Sequence, residues 1–358
     1  MTSDDKRQMY ELEYPAPAVD GGASSGPTLI IAMQGYADAG HAVEGAAGHL
    51  KAALDSRTVA TFNNDELIDY RSRRPMVTMS EHEITDMEEI ELDMRVLRDS
   101  KGTSFLLLSG PEPDLRWEAF SKSVADLADH FNVDKVISLY SAPMGAPHTR
   151  PLVVSAHGND RELVGPMFTY DGMVSMPGAA AVMIERELHA RGHRVAGYTA
   201  HVPHYVSASP YPQAVFQLLQ SISDTSKLQF PLRSIEQDVA RVELQLAQQT
   251  RDSEEIAQVV HQLEQHYDRE MESYRKQNPQ KMMPGEAQVP SGEEIGEAFE
   301  NFLAAIDDRD RGRGLGPAAE DQMWEHDPQA ELDPYGDHAG PDDSPNGDSP
   351  SGNDNDKD

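Results

Sequence analysis

The chain has 358 residues, with 62 acidic against 30 basic side chains, a formal net charge of −32 and no cysteine. That balance excludes the basic face of a nucleic-acid binder, a disulfide framework and any cysteine metal site. No apolar run approaches the ~20 residues of a membrane span, and Asp4, Asp5, Glu11 and Glu13 argue against a signal peptide. The expectation is a soluble, cytoplasmic protein whose partners include neither nucleic acid nor membrane.

Residues 1–27 read as a flexible arm, broken by Pro15-Ala16-Pro17 and by the stretch from Gly21 to Pro27. Within it Gly22-Ala23-Ser24-Ser25-Gly26 has the spelling of a nucleophile elbow. That spelling has meaning only on a turn between a strand and a helix, and here it precedes the first strand. Residues 28–33 then form a continuous apolar run ending at a glycine turn, as a buried parallel strand does. An Ala-rich helix follows over 41–54, with Asp38 placed to cap it, and a second strand over 57–62.

Strict alternation of Ile90, Leu92, Met94 and Val96 with charged residues predicts a half-exposed strand. Together with residues 76–80 it suggests an antiparallel insertion. Buried strands are predicted over 105–109, 135–140, 152–156 and 195–201. Between them, Trp117, Phe120, Val124, Leu127 and Phe131 mark one helix by their 3–4 spacing. A second spans 179–191 and ends at Gly192, and a third spans 212–222 with Pro212 in its first turn. This order implies an α/β domain over 28–231, three-layer αβα with helices on both faces of a mostly parallel sheet.

Beyond it, residues 232–306 read as helical. Ser234 with Gln237 has the form of a capping box, and stripes through Ile235, Val239, Val242 and Leu246 and through Ile256, Val260, Leu263, Tyr267, Met271 and Tyr274 suggest a helical hairpin broken at 250–253. A further helix opens at Ser291 and carries Ile295, Phe299, Phe302, Leu303 and Ile306. Such stripes belong either to the intramolecular core or to a contact with another subunit. Residues 307–358 read as a disordered acidic tail. From Ala318 onward it holds 13 acidic residues and one lysine, which leaves −20 of the −32 on residues 1–317. The tail solubilises the chain or recruits a partner.

Phosphate-loop, dinucleotide and His-Glu-x-x-His signatures are absent, and neither a cofactor nor a metal is expected. His201 and His204 straddle Pro203 without a local carboxylate, a weak metal pattern. Four loops stand at expected carboxyl ends of strands: 34–40, 110–117, 146–151 and 202–205. In open α/β sheets such loops converge on the ligand crevice. They offer Gly35, Asp38, Arg116, Trp117, His148, Arg150, His204 and Tyr205 as a candidate pocket, with arginines suited to an anion. Each also has an ordinary structural reading: Asp38 as a helix cap, the Pro-His pairs as rigid turns, and Arg116 as a partner of Glu112 or Asp114.

Gly35-Tyr36-Ala37-Asp38-Ala39-Gly40, the segment from Asp69-Tyr70 to Arg74-Pro75, Gly110-Pro111-Glu112-Pro113 with Arg116-Trp117, Pro147-His148-Thr149-Arg150-Pro151 and Pro203-His204-Tyr205-Val206 occur in order. With Pro290-Ser291-Gly292-Glu293-Glu294, they resemble the prokaryotic branch of the proteasome assembly chaperone 2 family over about residues 10–306. Tyr36 stands where the family more often has Trp or Phe, and the acidic tail lies outside the pattern. The resemblance implies a fold similar to purine nucleoside phosphorylases and a tendency to self-associate. It supplies no catalytic residues.

Two functions follow as expectations. One is a homo-oligomeric protein-interaction or assembly-chaperone-like scaffold with an unidentified protein partner. The alternative is a small-molecule-binding or hydrolase/phosphorylase-like enzyme using the pocket at the carboxyl edge of the sheet.

Overall fold

The computed structural model describes residues 9–14, 19, 26–170, 172–279, 281 and 283–286. The chain divides into the units Met1–Val289 and Pro290–Asp358, and all described residues belong to the first. The helix expected from Ser291, the acidic tail and most of the N-terminal arm lie outside the described residues.

In chain order the strands are β1 (Tyr10–Leu12), β2 (Thr28–Gln34), β3 (Ser56–Phe62), β4 (Val77–Ser80), β5 (Glu83–Met87), β6 (Asp93–Arg98), β7 (Ser104–Pro111), β8 (Lys135–Met144), β9 (Val154–Gly158) and β10 (Arg194–Pro203). The helices are α1 (Ala42–Ala53), α2 (Asn64–Leu67), α3 (Trp117–His130), α4 (Arg161–Val164), α5 (Ala180–Ala190), α6 (Pro212–Ser226), α7 (Arg233–Asp252) and α8 (Glu254–Gln277).

Eight strands form one sheet in the order β1-β3-β6-β7-β2-β8-β10-β9. Its centre, β7-β2-β8-β10, is parallel, with β6, β3 and β1 added antiparallel on one side and β9 on the other. The continuous apolar runs of β2 and β7 follow from burial on both faces: Leu29, Ile30, Ile31, Leu106, Leu107 and Leu108 are all inaccessible to solvent. Alternate residues serve opposite layers. Ile30, Leu107 and Ile137 pack with α1 and α6, while Leu29, Leu106 and Val136 pack with α3 and α5. The 3–4 spacing of α3 does what it predicts, burying Phe120, Val124 and Leu127 completely.

The insertion differs from its sequence expectation. Residues 76–80 do not join the alternating strand; β4 pairs with β5 in a separate hairpin, closed locally by Glu81 in a left-handed conformation (φ 56°). The alternating segment becomes β6, flanked by β3 and β7 inside the main sheet. Asp93 is therefore buried as well, with its carboxylate on the Arg95 guanidinium at 2.7 Å.

The helical region is laid down on the α/β body. Ile235 is buried, and Val239, Val242 and Leu246 of α7 pack on the layer formed by α1 and α6. Tyr267, Met271 and Tyr274 of α8 pack on Val153 and Phe168. Ser234 does not cap α7, which starts one residue earlier and has no side-chain cap. Ser253 caps α8 instead, accepting from the Ile256 N–H at 3.3 Å.

One buried carboxylate ties the linker between α6 and α7 to the turn between β6 and β7. Asp99 Oδ1 accepts from the N–H groups of Lys101 (2.9 Å) and Thr103 (2.7 Å), and Oδ2 from that of Gln229 (3.0 Å). Replacing it strands three backbone donors. Asp99→Ala is expected to lower unfolding stability by about 3 kcal/mol, read from urea midpoints; a loss under about 0.5 kcal/mol contradicts the assignment.

Candidate functional site

Four of the eight candidate residues meet at the carboxyl ends of β8 and β10. Pro147 and Pro203 stiffen the two exits, and the loops lock together through one phenol. Tyr205 Oη accepts from the backbone N–H of His148 at 2.7 Å and lies 2.7 Å from its Nδ1. The Tyr205 ring stands edge-on between the imidazoles of His148 and His204, with centroids 5.8 and 5.4 Å away. Burial lowers the His148 pKa, opposed by the carboxylates of Glu264 and Glu243, and raises that of Tyr205.

Arg150 is committed to α8. Its Nε and Nη2 donate to the two carboxylate oxygens of Asp268 at 2.8 and 2.9 Å, and Nη1 donates to Glu264 at 3.0 Å. Thr149 Oγ1 adds a bond to Glu264 at 2.6 Å, and Tyr267 Oη reaches the Pro151 carbonyl at 2.8 Å. Hydrogen bonds from Arg150 and from Thr149 hold Asp268 and Glu264, respectively, below their usual range. The guanidinium therefore fastens a helix.

The remaining candidates serve neighbouring positions. Asp38 behaves as a cap, its two oxygens accepting from Val43 N (2.7 Å) and Glu44 N (3.2 Å) at the start of α1; burial raises its pKa against those bonds. Its loop is stitched to the Tyr205 loop by Gly40 N–Ser207 O (2.7 Å) and Tyr211 N–Gly40 O (2.8 Å). Gly35 faces Glu112, whose carboxylate would lie 2.8 Å from an added Cβ. That carboxylate also accepts from the Ala180 N–H at 2.6 Å and so caps α5. Arg116 pairs with Glu66 rather than with Glu112 or Asp114, and Trp117 Nε1 donates to the Pro113 carbonyl. These two follow β7, three strand spacings or roughly 14 Å from β10. The eight residues thus divide between two parts of the sheet edge.

Beside His148 a cleft of about 630 Å³ opens between the β8 loop, the first turn of α6 and the end of α7. Gln213, Glu243 and Arg251 line it and were not among the candidates; a polar helix face carries no periodic signal that separates them from ordinary surface. Among the described residues no group of three or more His, Asp or Glu side chains is arranged to hold a metal. His201 is buried on Ser155 Oγ (2.9 Å) and stacks on Tyr170, apart from His204.

Residues 32–250 match the model of the PAC2 family. Among solved structures the chain is similar to a Corynebacterium glutamicum protein of unknown function, at 54% identity and a TM-score of 0.72, covering 75% of this chain and 100% of that one. A Mycobacterium tuberculosis protein of unknown function shares 43% identity at a TM-score of 0.72, over 76% and 93% of the two chains. A second Mycobacterium tuberculosis protein, described as a proteasome-assembly chaperone homologue, shares 25% identity at a TM-score of 0.59, over 65% and 99%. No curated protein matches the chain.

Two outcomes test this geometry. Arg150→Gln should accelerate amide exchange in α8 roughly fivefold to tenfold while leaving β2 and β8 unchanged; uniform acceleration, or none, contradicts the clamp. His201 is pushed down to about 4 by burial, whereas an unfolded histidine titrates near 6.5. The unfolded chain alone binds that proton between the two values. This contribution to stability is complete above pH 6.5 and disappears as the pH falls through 4, about 3 kcal/mol in all. His201→Asn should therefore lose less stability than the parent between about pH 7.5 and about pH 4.5 in urea titrations; equal losses contradict the assignment.

Proposed function

The chain belongs to the PAC2 family, and on that premise we propose that it is a cytoplasmic scaffold of assembly-chaperone type that associates with copies of itself and holds a partner protein. The observation that carries this reading is the β4–β5 hairpin. Val77 stands opposite Met87, and Met79 opposite Ile84, which gathers four apolar side chains on cross-strand pairs. All are exposed, Met79 at 64% and Ile84 at 69%. An isolated two-stranded hairpin is marginal in water, and an apolar face of this kind marks a contact surface. The charges suit a copy of the same chain: Arg71 and Arg74 at the base have no ion-pair partner among the described residues, and Glu81 and Glu83 lie at the tip. The similarity to a proteasome-assembly chaperone homologue supports a role in protein association. At the sheet edge Asp38 and Glu112 serve as caps, and Arg116 and Arg150 are held in ion pairs, which favours it over the hydrolase/phosphorylase-like alternative.

Sedimentation of the full chain should show an oligomer that Met79→Glu with Ile84→Glu converts to protomers with an unchanged circular dichroism spectrum. A monomeric parent, or a double variant that remains oligomeric, rejects the hairpin as the contact.

A further inference from the structure

The cleft beside His148 has its own unspent chemistry. Its neighbours Arg150 and Thr149 are held by α8, and the Thr250 hydroxyl by the Leu246 carbonyl. Three polar side chains of the lining are left over: Gln213, Glu243 and Arg251 have no side-chain hydrogen bond or ion pair among the described residues.

The two unpaired charges are of opposite sign and sit on one helix. Glu243 and Arg251 are eight residues apart on α7, roughly 12 Å along its axis. A single anion would meet the Glu243 carboxylate, and a single cation the Arg251 guanidinium. A zwitterion with its charges well separated satisfies both. An extended tripeptide spans about 10 Å between its termini. Its carbonyl oxygens are acceptors for the Gln213 amide, which also accepts from main-chain N–H groups. A cleft of about 630 Å³ lies within the ordinary range for ligand sites of roughly 300–1,000 Å³.

We propose that this cleft binds short peptides with both termini free, the ammonium on Glu243, a main-chain carbonyl on the Gln213 amide and the carboxylate on Arg251. No residue of the hairpin lines it. No bond is made or broken in it.

Calorimetric titration of the full chain with tri-alanine, N-acetyl-tri-alanine and tri-alanine amide tests the assignment. The free tripeptide should bind, and each blocked form should bind at least tenfold more weakly. Arg251→Gln should weaken tri-alanine and the acetylated form at least fivefold while leaving the amide unchanged. Glu243→Gln should do the converse. Both side chains are exposed on α7, and a melting temperature equal to the parent's shows that each variant is folded. No binding of tri-alanine at millimolar concentration, or blocked forms that bind as well as the free one, overturns the proposal. Because the oligomeric state is measured separately, either result leaves the scaffold reading standing or falling on its own test.

Discussion

The guanidinium of Arg150 fastens α8 to the α/β body. It leaves the loop after β8, in the parallel centre of the sheet, and spreads its three nitrogens over Asp268 and Glu264 of α8. A lysine in its place would present one point charge to a site that needs a planar fork. Around that contact the Thr149 hydroxyl, the Pro151 carbonyl and the Phe168–Tyr274 stack, 4.2 Å between centroids, fix the rotation of the helix. The same loop, with His148, lines the cleft at the end of α7. Exposed ion pairs are individually weak. Here several hydrogen bonds share one rigid loop between two prolines, so little side-chain entropy remains to be lost.

The sheet edge illustrates how a motif can be dense in polar residues and yet structural. Gly35, Glu112 and Ala180 form a chain of necessity: the carboxylate that caps α5 occupies the space where a side chain at position 35 would stand. Asp38 does the same service for α1 from outside the helix. Such carboxylates replace the missing partners of helix N–H groups. Because they do so at the carboxyl edge of the strands, they occupy the place where an α/β fold commonly receives its ligand.

The layered fold was legible because burial writes itself into sequence. The unbroken apolar runs of β2 and β7 and the 3–4 spacing of α3 each have one physical explanation. Asp38 and the stripe of Ile235, Val239, Val242 and Leu246 were readable for the same reason. The β4–β5 pairing was not, since Val77, Met79, Ile84 and Met87 alternate in a way that says only that one face is apolar, not which strand lies alongside. The candidate pocket was legible as a set of loops but not as a set of contacts. Arg116 bonds Glu66, fifty residues upstream, and Arg150 bonds Asp268, over a hundred residues downstream. Pairings across such separations depend on topology, which no local spacing encodes. Glu243 and Arg251 had no signal at all, being polar residues on the polar side of a helix.

The exposed hairpin has a consequence for the life of the chain in a cell. Its four apolar side chains are contributed by two short strands close together in sequence, so they are presented as soon as that segment has been synthesised, well before the parallel centre can close. A folded chain with nothing docked on the hairpin keeps them on display. The same surface that would draw a copy to the protein is what a holdase or a protease would grip on an orphan, so the hairpin would set how long an unassembled subunit survives.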